Sequence, residues 1–357
     1  MKKALAAVMA VMTVAVLYGV FSAKPDHSTQ FLDFVSEEQT QFLHFMQSYD
    51  RQYKDLDEYK YRLSVFAENM KTFEGLNQFA DWTEGEFKAL QTLQTLPQTP
   101  EVATGDYSFP ASIDYRATGT VGPVKDQGAC GSCWSFSTIG VLEGNERAQN
   151  YNDVLSEQQI VDCTSSPNGD NAGCNGGVVQ FVLEQIGGQS SKYQALLSQE
   201  SMNYRTYSAR QGTCDTRDGV VGVDMNTYVF MVANSDDAHK EALVTEESPI
   251  SIALDATGWN RIPSGSTKIW TSEELGCSTY GQIDHAVLLV GYGAIDGVEY
   301  WLIKNSWGSN WGDAGYVKLA MKTPSGGNYS YGACSTRRQS TYVKICLLYT
   351  SPSPRDS

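Results

Sequence analysis

The feature that most limits what this chain can fold into is a change of texture near Gly219. Before it, apolar residues recur at helical spacing. Phe42, Phe45, Met46 and Tyr49 share one face, as do Tyr59, Leu63, Phe66 and Met70, and neither glycine nor proline interrupts Phe31 to Glu74. Two amphipathic helices are expected there. Ser135 to Arg147 reads as a buried helix, Leu155 to Val161 as a short one capped by Ser156, and Val178 to Ile186 as a third that ends at Gly187-Gly188. After Gly219 come β-branched and aromatic runs bounded by glycine: Val220 to Val232, Ile250 to Ala256, His285 to Gly293, Tyr300 to Lys304 and Tyr316 to Ala320. Helices followed by strands, without alternation, point to an α+β fold and away from a parallel βαβ sheet.

Length and charge bound the rest. At 357 residues the chain exceeds one average domain. A formal net charge of -15 argues against nucleic acid and anionic membrane surfaces, which favour basic faces. Lys2 and Lys3 precede an apolar run from Ala4 to Val20, and Ser22 and Ala23 are small, so residues 1–23 read as a cleaved secretory signal. An uncleaved signal anchor is the alternative. Past the signal the protein is expected off the membrane, lumenal or secreted, where disulfides are permitted. Gln91 to Tyr107, rich in Gln, Thr, Pro and Gly, reads as an exposed linker open to proteolysis. A segment spanning 24–108 would thus precede a unit over 109–345, with a helical half at about 109–219 and a strand-rich half at about 220–345.

The chemistry centres on Gln127-Gly-Ala-Cys130-Gly-Ser-Cys133-Trp-Ser-Phe-Ser137. A thiol at a helix N-terminus meets the positive end of the macrodipole, which favours the thiolate. Read alone, the C-x-x-C is equally a dithiol redox pair or half of a zinc site. The redox reading lacks the alternating strands of a thioredoxin-like unit. The zinc reading lacks a second close cysteine pair, since Cys163 and Cys174 do not form one. Far downstream stand Asp284-His285-Ala286 and Lys304-Asn305-Ser306-Trp307-Gly308. A cysteine nucleophile needs an imidazole to hold it as thiolate and to protonate the leaving amine, and the imidazole needs an acceptor to fix its tautomer. Of the other histidines, His27 and His44 lie in the N-terminal segment, and His239 sits in a charged stretch that reads as solvated.

These motifs resemble those of the papain-like cysteine proteases of the cathepsin L-like kind, over almost the whole chain. Leu155-Ser-Glu-Gln-Gln-Ile-Val-Asp-Cys163 and Gly173-Cys174-Asn175-Gly176-Gly177 are similar to the family's second and third motifs. The resemblance implies a two-domain fold, a helical left domain beside an antiparallel β-barrel-like right domain, preceded by a helical pro-domain. It implies Cys133 as nucleophile, His285 as general acid/base, Asn305 as the residue that orients the imidazole, and Trp307 as its shield from water. Gln127, with the Cys133 N–H, would form the oxyanion hole. Gly131, Gly176 and Gly177 would leave backbone open to an extended peptide, and Val178, Val179, Ala253, Ala286 and Gln339 would line the main specificity pocket. It implies disulfides Cys130–Cys174, Cys163–Cys214 and Cys277–Cys334, with Cys133 free.

Glu58, Arg62, Val65, Phe66 and Asn69, then Gly75-Leu-Asn77-Gln-Phe79-Ala-Asp81, resemble the family's two pro-segment motifs, nearly fused here. The segment is expected to cover the cleft until cleavage near Tyr107 to Phe109, with acid favouring release by weakening its salt bridges. Cys346 to Asp356 resembles the peptide made when a transposase sequencing adapter is translated in frame, so residues 346–357 are expected to be foreign and the native end to lie near Ile345 or just beyond it. Residues around Gln189 to Ser201 are expected to form a surface loop, and Asn328 is a glycosylation candidate. The expected protein is a monomeric cysteine endopeptidase of the secretory pathway, found in lysosome or digestive vacuole or outside the cell. It would act on polypeptides with a hydrophobic residue two before the cut, need no metal or other cofactor, and be open to cystatin-like inhibitors. An exopeptidase or transpeptidase on the same fold and an inactive binding homologue are the alternatives.

Overall fold

In the computed structural model, residues 36–94, 108–150, 152, 154–165, 171–187, 195–196, 206–214, 223–322 and 329–347 are described. The expected signal, the cleavage linker from 95 onward, most of the 189–201 loop, Asn328 and residues 348–357 lie outside them. The chain forms two compact units, one within residues 1–71 and the other within 72–357.

In the first unit, α1 (Glu37–Ser48) starts at a capping box: Ser36 accepts from the Gln39 N–H and Gln39 reaches back. Asp55 caps α2 (Leu56–Asn69) by accepting from the Glu58 N–H. The two helices pair through aromatic rings, with Phe42, Phe45 and Phe66 fully buried and Phe42 also packed on Tyr53 and Tyr59.

The second unit opens with residues 72–94, which include α3 (Glu84–Lys88), capped by a Thr83–Glu86 box. Then follow β1 (Ile113–Asp114), α4 (Cys133–Ala148), α5 (Glu157–Cys163), α6 (Val179–Gly187), β2 (Ala195–Leu196), β3 (Val223–Met231), α7 (Asp236–Glu246), β4 (Ile250–Leu254), β5 (Ile269–Trp270), α8 (Ser272–Leu275), β6 (His285–Ile295), β7 (Val298–Lys304), β8 (Tyr316–Ala320) and β9 (Gln339–Leu347). The strands form one sheet in the order β2-β3-β9-β4-β6-β7-β8-β5, with β1 also paired to β6. Neighbours are antiparallel except β5 and β8. The fold is therefore α+β, with a helical N-terminal segment before a sheet-rich unit.

Helix α4 is buried on nearly every face because it runs through the interior. Ser137 spends its hydroxyl on Ser251 Oγ (2.7 Å) and the Val287 carbonyl (2.8 Å), tying the helix to β4 and β6. Gly140 leaves room for Leu288, which a Cβ would meet at 3.1 Å. Cys130–Cys174, Cys163–Cys214 and Cys277–Cys334 are bonded, and Cys133 is the free cysteine among the described side chains.

Two elements, α7 and β1, depart from the sequence reading. Helix α7 interrupts the strand-rich part. Its His239 is 1% exposed, not solvated: Nδ1 meets the Ser235 carbonyl and Nε2 meets Ser340 Oγ, both at 2.8 Å. Burial pushes this imidazole down to about 4, holding it neutral. The two-residue β1 joins the sheet from the helical side. Strand β9 continues past Ile345, with Cys346 and Leu347 in register with Asn226 and Met225.

Candidate active site

Cys133 is the first residue of α4, and its Ser132 N-cap makes no side-chain cap bond. His285 is the first residue of β6, and Asn305 directly follows β7, the neighbouring strand. His285 Nε2 and Asn305 Oδ1 are 2.8 Å apart, and the same oxygen accepts the Ser306 N–H at 2.8 Å. The other ring nitrogen, Nδ1, is buried without a hydrogen-bond partner. Trp307 stacks on the imidazole at 4.7 Å, backed edge-on by Trp259 and Trp311. Gln127 is fully buried. Its Nε2 donates to the Cys130 carbonyl (2.9 Å), and its Oε1 accepts from Ser306 Oγ (2.7 Å).

The sheet register aligns the expected pocket residues. Ala253 on β4 stands between Ala286 on β6 and Gln339 on β9, one row across three strands. Val178 and Val179 enter α6 directly after Gly177 and are buried.

Across this surface lies a short piece of the same unit. Residues Gln91 to Gln94, expected as exposed linker, instead run over Cys133. Gln91 Nε2 donates to the Ala256 carbonyl (3.0 Å) and Thr92 Oγ1 to the Gly131 carbonyl (3.0 Å). The Leu93 N–H goes to the Asp284 carbonyl (3.0 Å) and that of Gln94 to the Gly177 carbonyl (3.1 Å). Leu93 is buried in the same apolar cluster as Cys133, Val179, Ala253 and Ala286. Gly176, at φ +111°, and Gly131 have no room for a Cβ, because Thr92 fills that space. Upstream, Phe79 and Phe87 set their rings edge-on to Trp307 at 5.3 and 5.1 Å, and Gln78 Nε2 donates to the Trp307 carbonyl. Asn77 holds the carbonyls of Asn260 and Ile262.

This cover has an electrostatic consequence. Cys133 and His285 are both 0% exposed. Burial pushes the thiol up to about 12, only partly offset by hydrogen bonds from the backbone at Ala286, Trp134 and Thr92. Burial pushes His285 down to about 4 against the opposing bond to Asn305. Both groups are therefore neutral under the cover, so the covered site does not hold the thiolate–imidazolium pair that the family resemblance implies for catalysis. Asp284 is also pushed up, to about 6, chiefly by burial. Among the described residues no group of three or more His, Cys, Asp or Glu is placed to hold a metal ion, and no helix is long and apolar enough to cross a membrane.

A helical leader, a mixed unit with one free thiol opening a buried helix, and an imidazole bound to an asparagine make up a cysteine protease carrying its own propeptide. The chain belongs to the papain family of cysteine proteases, whose model matches residues 109–343, and the cathepsin propeptide inhibitor domain matches residues 42–87. It is similar to digestive cysteine proteinase 1 of Homarus americanus, at 36% identity over 81% of this chain and 92% of the relative. It is likewise similar to pro-cathepsin H of Medicago truncatula, at 38% over 83% and 86%. Among solved structures, digestive procathepsin L 3 of Tenebrio molitor larval midgut aligns with a TM-score of 0.69 at 28% identity, over 86% of this chain and 99% of that one. A recombinant stem bromelain precursor aligns at 0.70 and 30%, over 87% and 99%. The chain is thus a protease precursor, a zymogen.

The sequence reading missed Ser306 and Tyr207, both joined to Gln127, and it placed Gln91 to Gln94 in the linker, off the cleft. Tyr207 Oη donates to the Gln127 carbonyl (2.8 Å) and shares a 2.6 Å bond with Ser132 Oγ. Ser306 lay inside a quoted motif, but its hydroxyl carried no visible role. Tyr207 stood in a stretch without a pattern.

Proposed function

We propose that the chain is the precursor of a secretory-pathway cysteine endopeptidase, inhibited by Leu90 to Gln94 until the segment is cut away between those residues and Phe109. The observation that carries this reading is the commitment of His285 Nε2 to Asn305 while Nδ1 stays buried and unpartnered, one residue before the Ala286 N–H that meets the Cys133 sulfur. Once the cover leaves, water returns and the burial penalty on both groups falls. The Cys133 proton passes to His285, and the thiolate attacks the scissile carbonyl carbon. The oxyanion that forms is held by Gln127 Nε2 and the Cys133 N–H. His285 then gives its proton to the departing amine, leaving a thioester that water hydrolyses. Losing one oxyanion-hole donor costs about 3 kcal/mol of transition-state stabilisation, so Gln127→Ala slows turnover about 100-fold.

The row Gln339–Ala253–Ala286, with Val178 and Val179, supports a pocket for an apolar residue two before the cut. Leu93, seated in the same apolar cluster, is of the type the pocket would take. Two measurements on the activated protein test the reading: labelling of Cys133 by a thiol-selective epoxide peptide, and hydrolysis of Phe-Arg against Arg-Arg reporters. Labelling that disappears in Cys133→Ser, with Phe-Arg preferred, is the expected result. Absence of labelling points to an inactive homologue, and equal rates on the two reporters sink the pocket assignment.

A further inference from the structure

We propose that Ser306 and Tyr207 are positioning residues that hold the oxyanion hole from two sides, a role that rests on the reading of Gln127 given above. A terminal amide has two nearly isosteric ends, so Gln127 stabilises an oxyanion only if nitrogen faces the cleft. Were the ends exchanged, an oxygen would face the developing negative charge. Two bonds choose the productive orientation. The Cys130 carbonyl takes one hydrogen of Nε2 (2.9 Å), and the Ser306 hydroxyl donates to Oε1 (2.7 Å). The remaining hydrogen of Nε2 points along the cleft, where the Leu90 carbonyl of the cover lies 3.4 Å away. Of the two anchors, only the Ser306 hydroxyl belongs to a side chain.

Ser306 also grips the main chain, its carbonyl accepting the Gln127 N–H at 2.8 Å. The Gln127 carbonyl is taken by Tyr207 Oη (2.8 Å). With that phenol donating to Gln127, the 2.6 Å bond to Ser132 Oγ has the serine as donor. Ser132, an ordinary capping residue type, stands at φ -112° and ψ 17°, outside the extended conformation of a cap, and makes no side-chain cap bond on α4. Its hydroxyl is diverted to Tyr207, and it does not compete for the first-turn N–H groups that flank the thiol. Tyr207 is fixed in turn by Phe136, whose ring meets it edge-on at 4.9 Å. Gln127 and the start of α4, the two sources of oxyanion donors, are thereby locked together through one phenol.

The test uses the full-length precursor converted by an added protease, with active sites counted by thiol titration. Ser306→Ala and Tyr207→Phe are made alone and on a Gln127→Ala background. Ser306→Ala is expected to lower kcat about tenfold with KM within about twofold, and Tyr207→Phe to do the same more weakly. Alkylation of Cys133 by a haloacetamide passes through no oxyanion, so its rate stays at the parent value in both variants. On the Gln127→Ala background neither substitution costs anything further. A loss of the same size on that background, or a parallel fall in alkylation, overturns the proposal and assigns a general structural role. If Gln127→Ala itself turns over at the parent rate, the oxyanion-hole reading fails instead, and the two failures are told apart by that single variant.

Discussion

Phe87 is the residue whose removal tests the covering segment most directly. It lies in α3, is 4% exposed, and packs edge-on against Trp307 and Phe79 at 5.1 and 5.2 Å. Trp307 in turn stacks on the imidazole, so Phe87 joins the cover to the catalytic face. Truncating a buried phenylalanine to alanine costs about 3–5 kcal/mol, and a helix of five residues anchored by few rings belongs at the low end. Phe87 loses its packing when the cover lifts, so about 3 kcal/mol of that cost falls on the closed state. The open population then rises on the order of 100-fold. The assay is the rate at which a small haloacetamide modifies Cys133 in the uncut precursor, with the activated protein setting the ceiling. Cys133 is fully buried when closed, so modification reports opening. A Phe87→Ala precursor that keeps its circular dichroism yet reacts within threefold of the parent would refute the idea that these rings hold the cover down.

Three further outcomes are expected. His239 is held neutral by burial, at about 4 against an ordinary 6.5, so its contribution to stability is present above pH 6.5 and lost as pH falls toward 4. The loss is about 2 kcal/mol at pH 5, and denaturant midpoints of His239→Gln should therefore fall less between pH 7 and pH 5 than those of the parent. Gly176→Ala places a methyl group against the Thr92 carbonyl at a φ of +111°, so the precursor should open more readily and the activated form should show a raised KM for peptides, both read from reporter kinetics. Replacing Cys163 and Cys214 by alanine frees a closure of 51 residues and should cost about 4 kcal/mol, seen as a lower Tm.

What the sequence made legible was whatever depends on local residue type. The periodicity of Phe42, Phe45 and Phe66 is a side-chain signal, and those rings are the ones buried. The pocket row was accessible only through resemblance, since the register that aligns Ala286, Ala253 and Gln339 joins strands far apart in the chain. The continuation of the cover through Thr92 to Gln94 was invisible for a different reason. Thr92, Leu93 and Gln94 are held largely through backbone N–H groups and one hydroxyl, interactions that any sequence can offer and that leave no pattern. Helix α7 was missed because its polar surface hides a histidine whose hydrogen bonds, one of them to β9 a hundred positions away, make burial tolerable. Ser306 speaks to Gln127 across 179 positions, so its role exists only in the folded molecule.

The same cover recasts the expected acid sensitivity. The sequence suggested that protonated carboxylates loosen the segment. Glu74 bridges Lys268 with both side chains largely in water, a weak pair. Asp284, raised to about 6 by burial, works in the opposite sense: its contribution is present at low pH and fades as pH rises through 6. The imidazole of His285 remains. Closed, it is neutral down to about pH 4; exposed and alone, it would take a proton below its ordinary 6.5. In Cys133→Ser, His285 therefore takes up about one proton on opening at pH 5, a contribution of about 30-fold toward opening there over high pH, which Asp284 opposes. The parent differs. A closed thiol and imidazole hold one proton between them, and so does an open thiolate and imidazolium, so opening leaves the proton count unchanged near pH 5. The rate of hydrogen exchange at the Leu93 and Gln94 amides, in brief pulses, should climb toward acid in Cys133→Ser relative to the parent before it converts, by up to about 30-fold at pH 5. His239 and Asp284 titrate in both proteins and cancel from the comparison. Equal pH slopes would mean that no ion pair forms on opening, and the charge-transfer step assigned to Cys133 and His285 would have to be abandoned.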